Sequence, residues 1–589
     1  MASAQTIFGI DLRTLALFRI GLALCILADL ASRARDLTAH YSDYGILPRA
    51  DLIVLGHKAS SLHMISGSPW AQALLFFAAA CAAAALLAGL WTRLATFASW
   101  ILLGSLIARN TIVVQGGDNL LLLLLFWSLF LPLGARYSID AAVNRTPEAS
   151  SSYWSMAATA LLVQVMALYF FSALLKSGPE WIPDGTAIAY ALHLDFFATP
   201  FGVWLRDFPS VTYGLTLYVW YLELLGPLLI FSPLWFRSFR WLMVAGLATL
   251  HLAIAACMNV GLFPLINLVS LSVFLPPTVW NRFERWSDRR QGQGTTIYYD
   301  GECEFCRKTC LILQTFLLLK RATIVSAQTV GDVSRIMEEQ DTWVVEDAKG
   351  NRYIRWDALA FLFTQSPFPW IGAFLSLRPV SLSGESIYRW IAANRMRLGA
   401  ITTIAAPYHS SSATASRTTN LVVGALMLYM LVINVQGLPM AGYSAANPSR
   451  FVRPMLGLNQ RWDMFAPAPP SMDVWFVVRG ELLNGAVVDV LRGTEGEPDP
   501  GKPDDVRGYY TTYRWRKYLS RLAEPQFQPY RPAYANFLCR EWERSHQGVW
   551  ALRQIKLYVR TESNEPDGRE PQQDTLLLLV HDCPANRTP

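Results

Sequence analysis

The sequence predicts an all-α polytopic membrane bundle, interrupted by a small soluble α/β unit and followed by a small α+β domain. Three observations predict it. The chain has 589 residues, 53% of them hydrophobic and only 16% charged, against roughly 25% charged in soluble domains. Before residue 280 it holds eight apolar stretches near the length of about 20 residues that crosses a bilayer. Then "TTIYYDGECEFCRKTC", residues 295–310, reads as a buried strand running into an amphipathic helix, with two cysteines three apart.

The expected spans are 12–31, 71–91, 94–114, 119–134, 154–176, 211–232, 240–260 and 262–278, with a ninth at 420–440. The fourth and eighth are short and call for tilting, re-entry or a thinned bilayer. Basic residues in short connections set the orientation. Arg93, Arg136, Arg145, Arg237 and Arg240, then Arg282, Arg285, Arg289 and Arg290, fall on one side; the first connection, with Arg33, Arg35, Arg49 and Lys58, runs against them. The expectation is a multi-pass protein of the inner cell membrane, with the N-terminus and dithiol unit cytoplasmic and residues after 440 extracytoplasmic. Asp11, Arg13 and Arg19 interrupt the first apolar stretch, so no cleavable signal peptide is expected. The net charge of +6 forms no basic patch of the kind that binds nucleic acid, and no phosphate-cradling loop or nucleophile elbow is present.

From 292 to 400 the composition turns soluble. A CxxC at a strand-to-helix turn has a physical purpose: the helix N-terminus stabilises a thiolate on an exposed first cysteine, Cys303, and Cys306 one turn on resolves a mixed disulfide. Two alternatives stay open on the residues alone, half of a zinc site with Cys310 as a third ligand, or an inert pair. The stretch "YYDGECEFC" resembles the opening signature of the DCC family of thioredoxin-like proteins, and "ESIYRWIAANR", 385–395, is similar to that family's last helix. The resemblance implies an inserted thioredoxin-like α/β domain, thiol-disulfide oxidoreductase activity and a cytoplasmic thiol partner. Asp300, Gly301, Cys303 and Cys306 carry over by position. Pro367 and Pro369 are the nearest candidates for the cis-proline of a thioredoxin fold.

Three spans each hold an informative ionisable residue: Lys176 in "LLKSGPEW", Glu223 in "YLELLGP" and His251 in "ATLHLAIAACMN". Charge is costly in hydrocarbon, so each either faces a cavity or finds a partner. Lys176 as a desolvated base and His251 as a hydrogen-bond donor to a developing oxyanion form the functional reading. A snorkelling lysine, an interhelical hydrogen bond to His251 and an ion pair of Glu223 with an arginine such as Arg109 form the structural one. Residues 8–280 resemble the HTTM proteins, bacterial relatives of vitamin K-dependent γ-carboxylase, through "LFRIGLAL", "LLKSGPEW", "YLELLGP" and "HLAIAACMNVGLF". The resemblance implies a base role for Lys176, with Trp181 at the matching spacing, a functional His251 and a quinone of the vitamin K type as cofactor. Where the animal enzymes carry a further histidine, this chain reads "GGDNLL" with Asp118.

Residues 441–589 form the expected outer domain. "LNQRWDMFAPAPP", 458–470, offers Trp462 and Phe465 as interface or docking residues. Asn484-Gly485 predicts a type I′ hairpin, helices are expected near 509–523 and 532–546, and strands near 550–560 and 574–581. A Cys539–Cys583 disulfide is permitted there; Cys25, Cys81 and Cys257 lie in apolar runs as packing residues. The whole reads as a membrane redox protein whose bundle takes a lipid-soluble substrate. The alternatives are a carboxylase-like modifying enzyme with a supporting redox module, and a non-catalytic scaffold or peptide-maturation and export partner.

Overall fold

The computed structural model describes residues 3–55, 61–144, 150–290, 294–411, 414–439, 460–564 and 570–584. Lys58, Arg145 and residues 441–459 lie outside the described residues.

The chain is mostly helical, with separate small sheets. Every predicted span contains a helix: α1 Leu12–Ala34, α2 Pro69–Ala88, α3 Thr92–Arg109, α4 Gly116–Ser128, α5 Met156–Leu175, α6 Pro209–Leu229, α7 Phe236–Cys257 and α8 Phe263–Leu271. Their starts are written locally. Ser68 caps α2 at Ala71 N–H (3.2 Å) ahead of Pro69, and Ser155 caps α5 at Ala158 N–H (3.2 Å), satisfying amides a helix start leaves open. Among the described residues five helices are long and apolar enough to cross a membrane, or six if α8 and the helix beyond its break count as one span. The break falls at Pro276-Pro277, where α9, Pro277–Arg290, turns 90° away from α8. A proline pair ends a helix by removing amide donors. The short α4 is buried nearly throughout, at the centre of the bundle's core with Trp127 and Leu161.

Residues 294–405 form a separate unit. Strand β1 Thr296–Tyr299 leads to α10 Glu304–Phe316, β2 Thr323–Ser326, α11 Gly331–Gln340, β3 Val344–Glu346, β4 Arg352–Ile354, α12 Arg355–Gln365, α13 Pro369–Leu375, α14 Arg378–Ala393 and α15 Arg395–Ala405. The sheet order is β2-β1-β3-β4, with β1 parallel to β2 and β3 antiparallel to both its neighbours. The unit rests on one end of the bundle: Lys320 pairs with Glu284 at 2.7 Å, and Trp286 meets Phe368 at 6.0 Å. Ser416 then caps α16, Arg417–Gln436, the ninth apolar helix, which packs on α5.

The last unit is α+β. Strands β5 Met472–Leu482, β6 Val487–Asp489, β7 Thr494–Glu495, β8 Leu552–Ser563 and β9 Gln573–Asp582 pair in the order β9-β8-β5-β6-β7; α17 Tyr513–Ala523 and α18 Arg531–Glu543 pack with them. The hairpin after β5 is not type I′. Gly485 alone takes positive φ (85°) and donates to Leu482 C=O at 3.0 Å, the three-residue form in which glycine sits at the left-handed position. This unit sits on the other end of the bundle, where the first connection and residues 110–118 and 195–197 gather. Arg514 reaches Asp118 (2.9 Å) and Asp29 (2.6 Å), Arg516 donates to Phe196 C=O (2.8 Å), and Lys502 bridges Asp195 (2.8 Å) to Asp473 (2.8 Å). Trp462 is fully buried in the bundle core rather than at a bilayer surface, and Phe465 C=O accepts from Trp181 Nε1 at 2.9 Å. Both residues therefore pack against the bundle, just ahead of the C-terminal unit. Cys539 and Cys583 form a disulfide that ties α18 to the end of β9. Cys539→Ser is expected to cost this unit about 2–5 kcal/mol, read as earlier protease cleavage of 531–584 while the bundle stays intact.

Candidate functional site

The dithiol sits where β1 ends. The chain turns at Asp300, whose carbonyl accepts from Cys303 N–H (3.0 Å) and whose carboxylate accepts from Glu302 N–H (3.1 Å) and Gln328 Nε2 (3.0 Å). Gly301 is required by close approach: a Cβ there would lie 2.4 Å from Ser326 Oγ. Cys303 is then the cap of α10, accepting from Cys306 N–H at 3.3 Å, and the Cys306 thiol donates to Cys303 Sγ with the sulfurs 2.6 Å apart.

That geometry separates the two thiols. The Cys306 thiol's hydrogen bond, then its backbone amide and the charge of Arg395, lower the Cys303 thiol to about 6 against burial and the charge of Asp300. Cys306, as donor and partly buried, is pushed far up. Burial pushes Cys310 up to about 12, in the module core with Ile297 and Leu362. Among the described residues no three His, Cys, Asp or Glu side chains converge as a metal site would need.

Two expectations need correction. Cys303 is not exposed; it is 8% accessible, and Cys306 is the more open of the pair. The Cys303 sulfur is enclosed in the first turn of α10, where the Cys306 amide and thiol both donate to it; α15 packs along α10 further on, with Lys308 donating to Thr402 C=O (3.2 Å) and Thr403 Oγ1 to Glu304 (3.4 Å). Neither Pro367 nor Pro369 stands ahead of β3, the strand beside β1. That strand is entered through Thr342-Trp343, with Trp343 N–H donating to Tyr388 at 3.2 Å, and Pro369 instead opens α13. Sequence reading also missed Arg395, which reaches Asp300 (3.5 Å) and Asp341 (3.3 Å). Arg395→Ala is expected to move the Cys303 thiol up towards the usual value of about 8.5, since a positive charge favours the thiolate; alkylation rate against pH reads the shift.

A second polar site lies in the bundle. Lys176 follows the last residue of α5, and its ammonium donates to the Glu223 carboxylate on α6. It stands 4.5 Å from the centre of the Trp181 ring. It is buried and does not snorkel. Glu223 does not pair with Arg109, which donates to the carbonyls of Leu47 (2.9 Å) and Ser42 (3.3 Å). Deeper in α5, Tyr169 OH meets His251 Nε2 at 2.8 Å and Asn267 at 3.4 Å; His251 is buried and its Nδ1 has no hydrogen-bond partner. Tyr169 stands seven residues before Lys176, two turns along one helix face. Asp118 belongs to neither site. It lies in a buried cluster with Arg33 (2.8 Å) and Arg514, completed by Asp29, which pairs with Arg33 at 2.6 Å.

A membrane helix bundle bearing a dithiol module is thus the class that fold and sites define. Residues 9–280 match the family model of the HTTM domain. Residues 297–400 match that of the DCC1-like thiol-disulfide oxidoreductases, so the chain is a fusion of these two domains. No curated protein and no solved structure matches the chain.

Proposed function

We propose that the protein is a membrane thiol-disulfide oxidoreductase working through Cys303 and Cys306, and the observation that carries this is the lowered Cys303 thiol beside a Cys306 thiol held protonated. The sheet order β2-β1-β3-β4 with the dithiol at the β1–α10 turn supports the thioredoxin-like reading of the module. Cys303 thiolate attacks one sulfur of a partner disulfide, forming a mixed disulfide and releasing the partner's other sulfur as a thiolate. Cys306 loses its proton to water and attacks Cys303 Sγ, releasing the second partner thiolate and leaving a Cys303–Cys306 disulfide. The partner gains two electrons and the module loses two; the reverse sequence oxidises a dithiol. Cys306→Ser keeps the first step and removes the second. It is expected to accumulate a reducible mixed disulfide with the partner, and no such adduct forms if the reading is wrong.

The module side of the membrane is read as cytoplasmic. Two charges that ran against this, Arg33 and Arg49, are held in ion pairs with Asp29, Asp118 and Asp43, whereas the module end keeps Arg282, Arg285, Arg289 and Arg290. The Cys539–Cys583 disulfide fits an oxidising compartment for the other end. For the bundle, a site for a lipid-soluble substrate such as a quinone is favoured by the unpartnered His251 Nδ1 next to Tyr169. A carboxylase-like base role for Lys176 requires its pair with Glu223 to open. Lys176→Met and His251→Gln, scored against Cys303→Ser, separate the readings: loss with both bundle variants gives the bundle chemistry, and loss with neither set leaves a scaffold.

A further inference from the structure

Residues 368–405 leave unpartnered a run of large apolar side chains that a soluble domain would bury. Trp370 (69% accessible) and Phe374 stand one turn apart on α13; Leu382 and Trp390 (62%) project from α14; Ile401 and Ile404 (75%) project from α15. The charges in this stretch are four arginines, 378, 389, 395 and 397, and one glutamate, Glu385, which is itself held by Arg355 and Arg389. Short helices with tryptophan and aliphatic residues on one side and arginines beside them are what lies in the head-group layer of a bilayer.

The rest of the chain says what covers this surface. The module is tied to the apolar helices at both ends, through α9 to α8 and directly to α16. Ahead of it α9 leaves α8 at 90°, bearing a row of rings, Trp280, Phe283 and Trp286, and Trp286 meets Phe368 at the start of the exposed run. Behind it α16 begins at Arg417, twelve residues after α15 ends. A surface fixed between two membrane entry points lies within reach of the lipid; with Arg389 held by Glu385 and Arg395 by Asp300 and Asp341, Arg378 and Arg397 are the arginines that complement anionic head groups, at about 1 kcal/mol per basic residue.

We propose that α13, α14 and α15 form a monotopic membrane-binding face, whose partner is a bilayer surface rich in anionic phospholipid. The dithiol module then lies against the bilayer rather than hanging below it. The helix α15 touches the lipid through Ile401 and Ile404 while holding the dithiol helix α10 through Thr402 and Thr403. Contact with the bilayer thereby reaches the helix packed on the dithiol helix, whether or not the dithiol proves active.

The test is the full chain in phosphatidylglycerol-containing nanodiscs with a photoreactive phospholipid, and then peptide mapping. Peptides from 368–405 are expected to carry label within about threefold of that on α2. The exposed apolar strand β9, with Leu576, Leu577 and Val580, serves as the comparison at the other end of the molecule. Trp370→Glu with Trp390→Glu is expected to lower labelling of 368–405 at least fivefold while α2 keeps its own, which shows the bundle still folded and inserted. Labelling of 368–405 no higher than that of β9 overturns the proposal. So does protection of these peptides by cross-links to a second copy of the chain.

Discussion

Cys303→Ser is expected to abolish thiol-disulfide exchange, lowering the rate on a disulfide substrate by about three orders of magnitude or more. The nucleophile is the thiolate. With the Cys303 thiol near 6, about nine-tenths of it is ionised at neutral pH, against a few per cent for an ordinary cysteine. Cys306 cannot substitute: it sits inside the first turn of α10 rather than at its cap, and burial still pushes its thiol up once its bond to Cys303 is gone. Cys310→Ser is the control: it is buried, its thiol stands near 12, and its loss leaves exchange within about twofold. Retained activity in Cys303→Ser would remove the dithiol from the mechanism.

Asp118→Ala is expected to cost about 3–5 kcal/mol. It strips a carboxylate from two guanidiniums, Arg33 and Arg514, whose side chains are 0% and 2% exposed, and leaves Asp29 to balance both. The loss is a buried charge without a counter-charge, far costlier than a surface pair. Arg514 belongs to the C-terminal unit and Asp118 to the bundle, so the C-terminal unit should loosen first. Limited proteolysis of 470–584 reads that, with a lower Tm in thermal unfolding. Adding Arg514→Met should restore part of the stability, since replacing both partners removes the stranded charge. An unchanged Tm and cleavage rate in the single variant would show that the cluster holds nothing together.

The sequence showed the helices better than it showed what joins them. Ser68-Pro69 and Ser155 announce helix starts, and Pro276-Pro277 marks where α8 stops, because these signals act within one turn of chain. The dithiol turn was legible for the same reason, being complete within Asp300–Cys306. What packs beside it was not: α15 returns to α10 from about a hundred residues away, and nothing in "ESIYRWIAANR" marks Arg395 as the residue beside Asp300. Lys176 and Glu223 were each visible as charges needing a partner, but 47 residues separate them and only the packing of α5 on α6 pairs them. Tyr169 was within reach, since a seven-residue step from Lys176 defines one helix face. The Asn484-Gly485 turn shows a local signal overruled by the sheet. Leu483 and Asn484 donate their amides to the carbonyls of Ala551 and Val549 (3.0 and 3.1 Å), a pairing that holds the connection in a form with a single left-handed residue.

A thiolate on Cys303 at neutral pH is tested most directly by the alkylation rate of the reduced full-length protein against pH. A thiol whose folded-state value is lowered is ionised, and reactive, above that value. The rate at Cys303, measured by mass spectrometry after iodoacetamide treatment in nanodiscs, should therefore rise through pH about 6 and level off before pH 8, with Cys306 unreacted over the same range. A Cys303 profile still climbing through about 8.5, parallel to that of Cys306, would contradict the account.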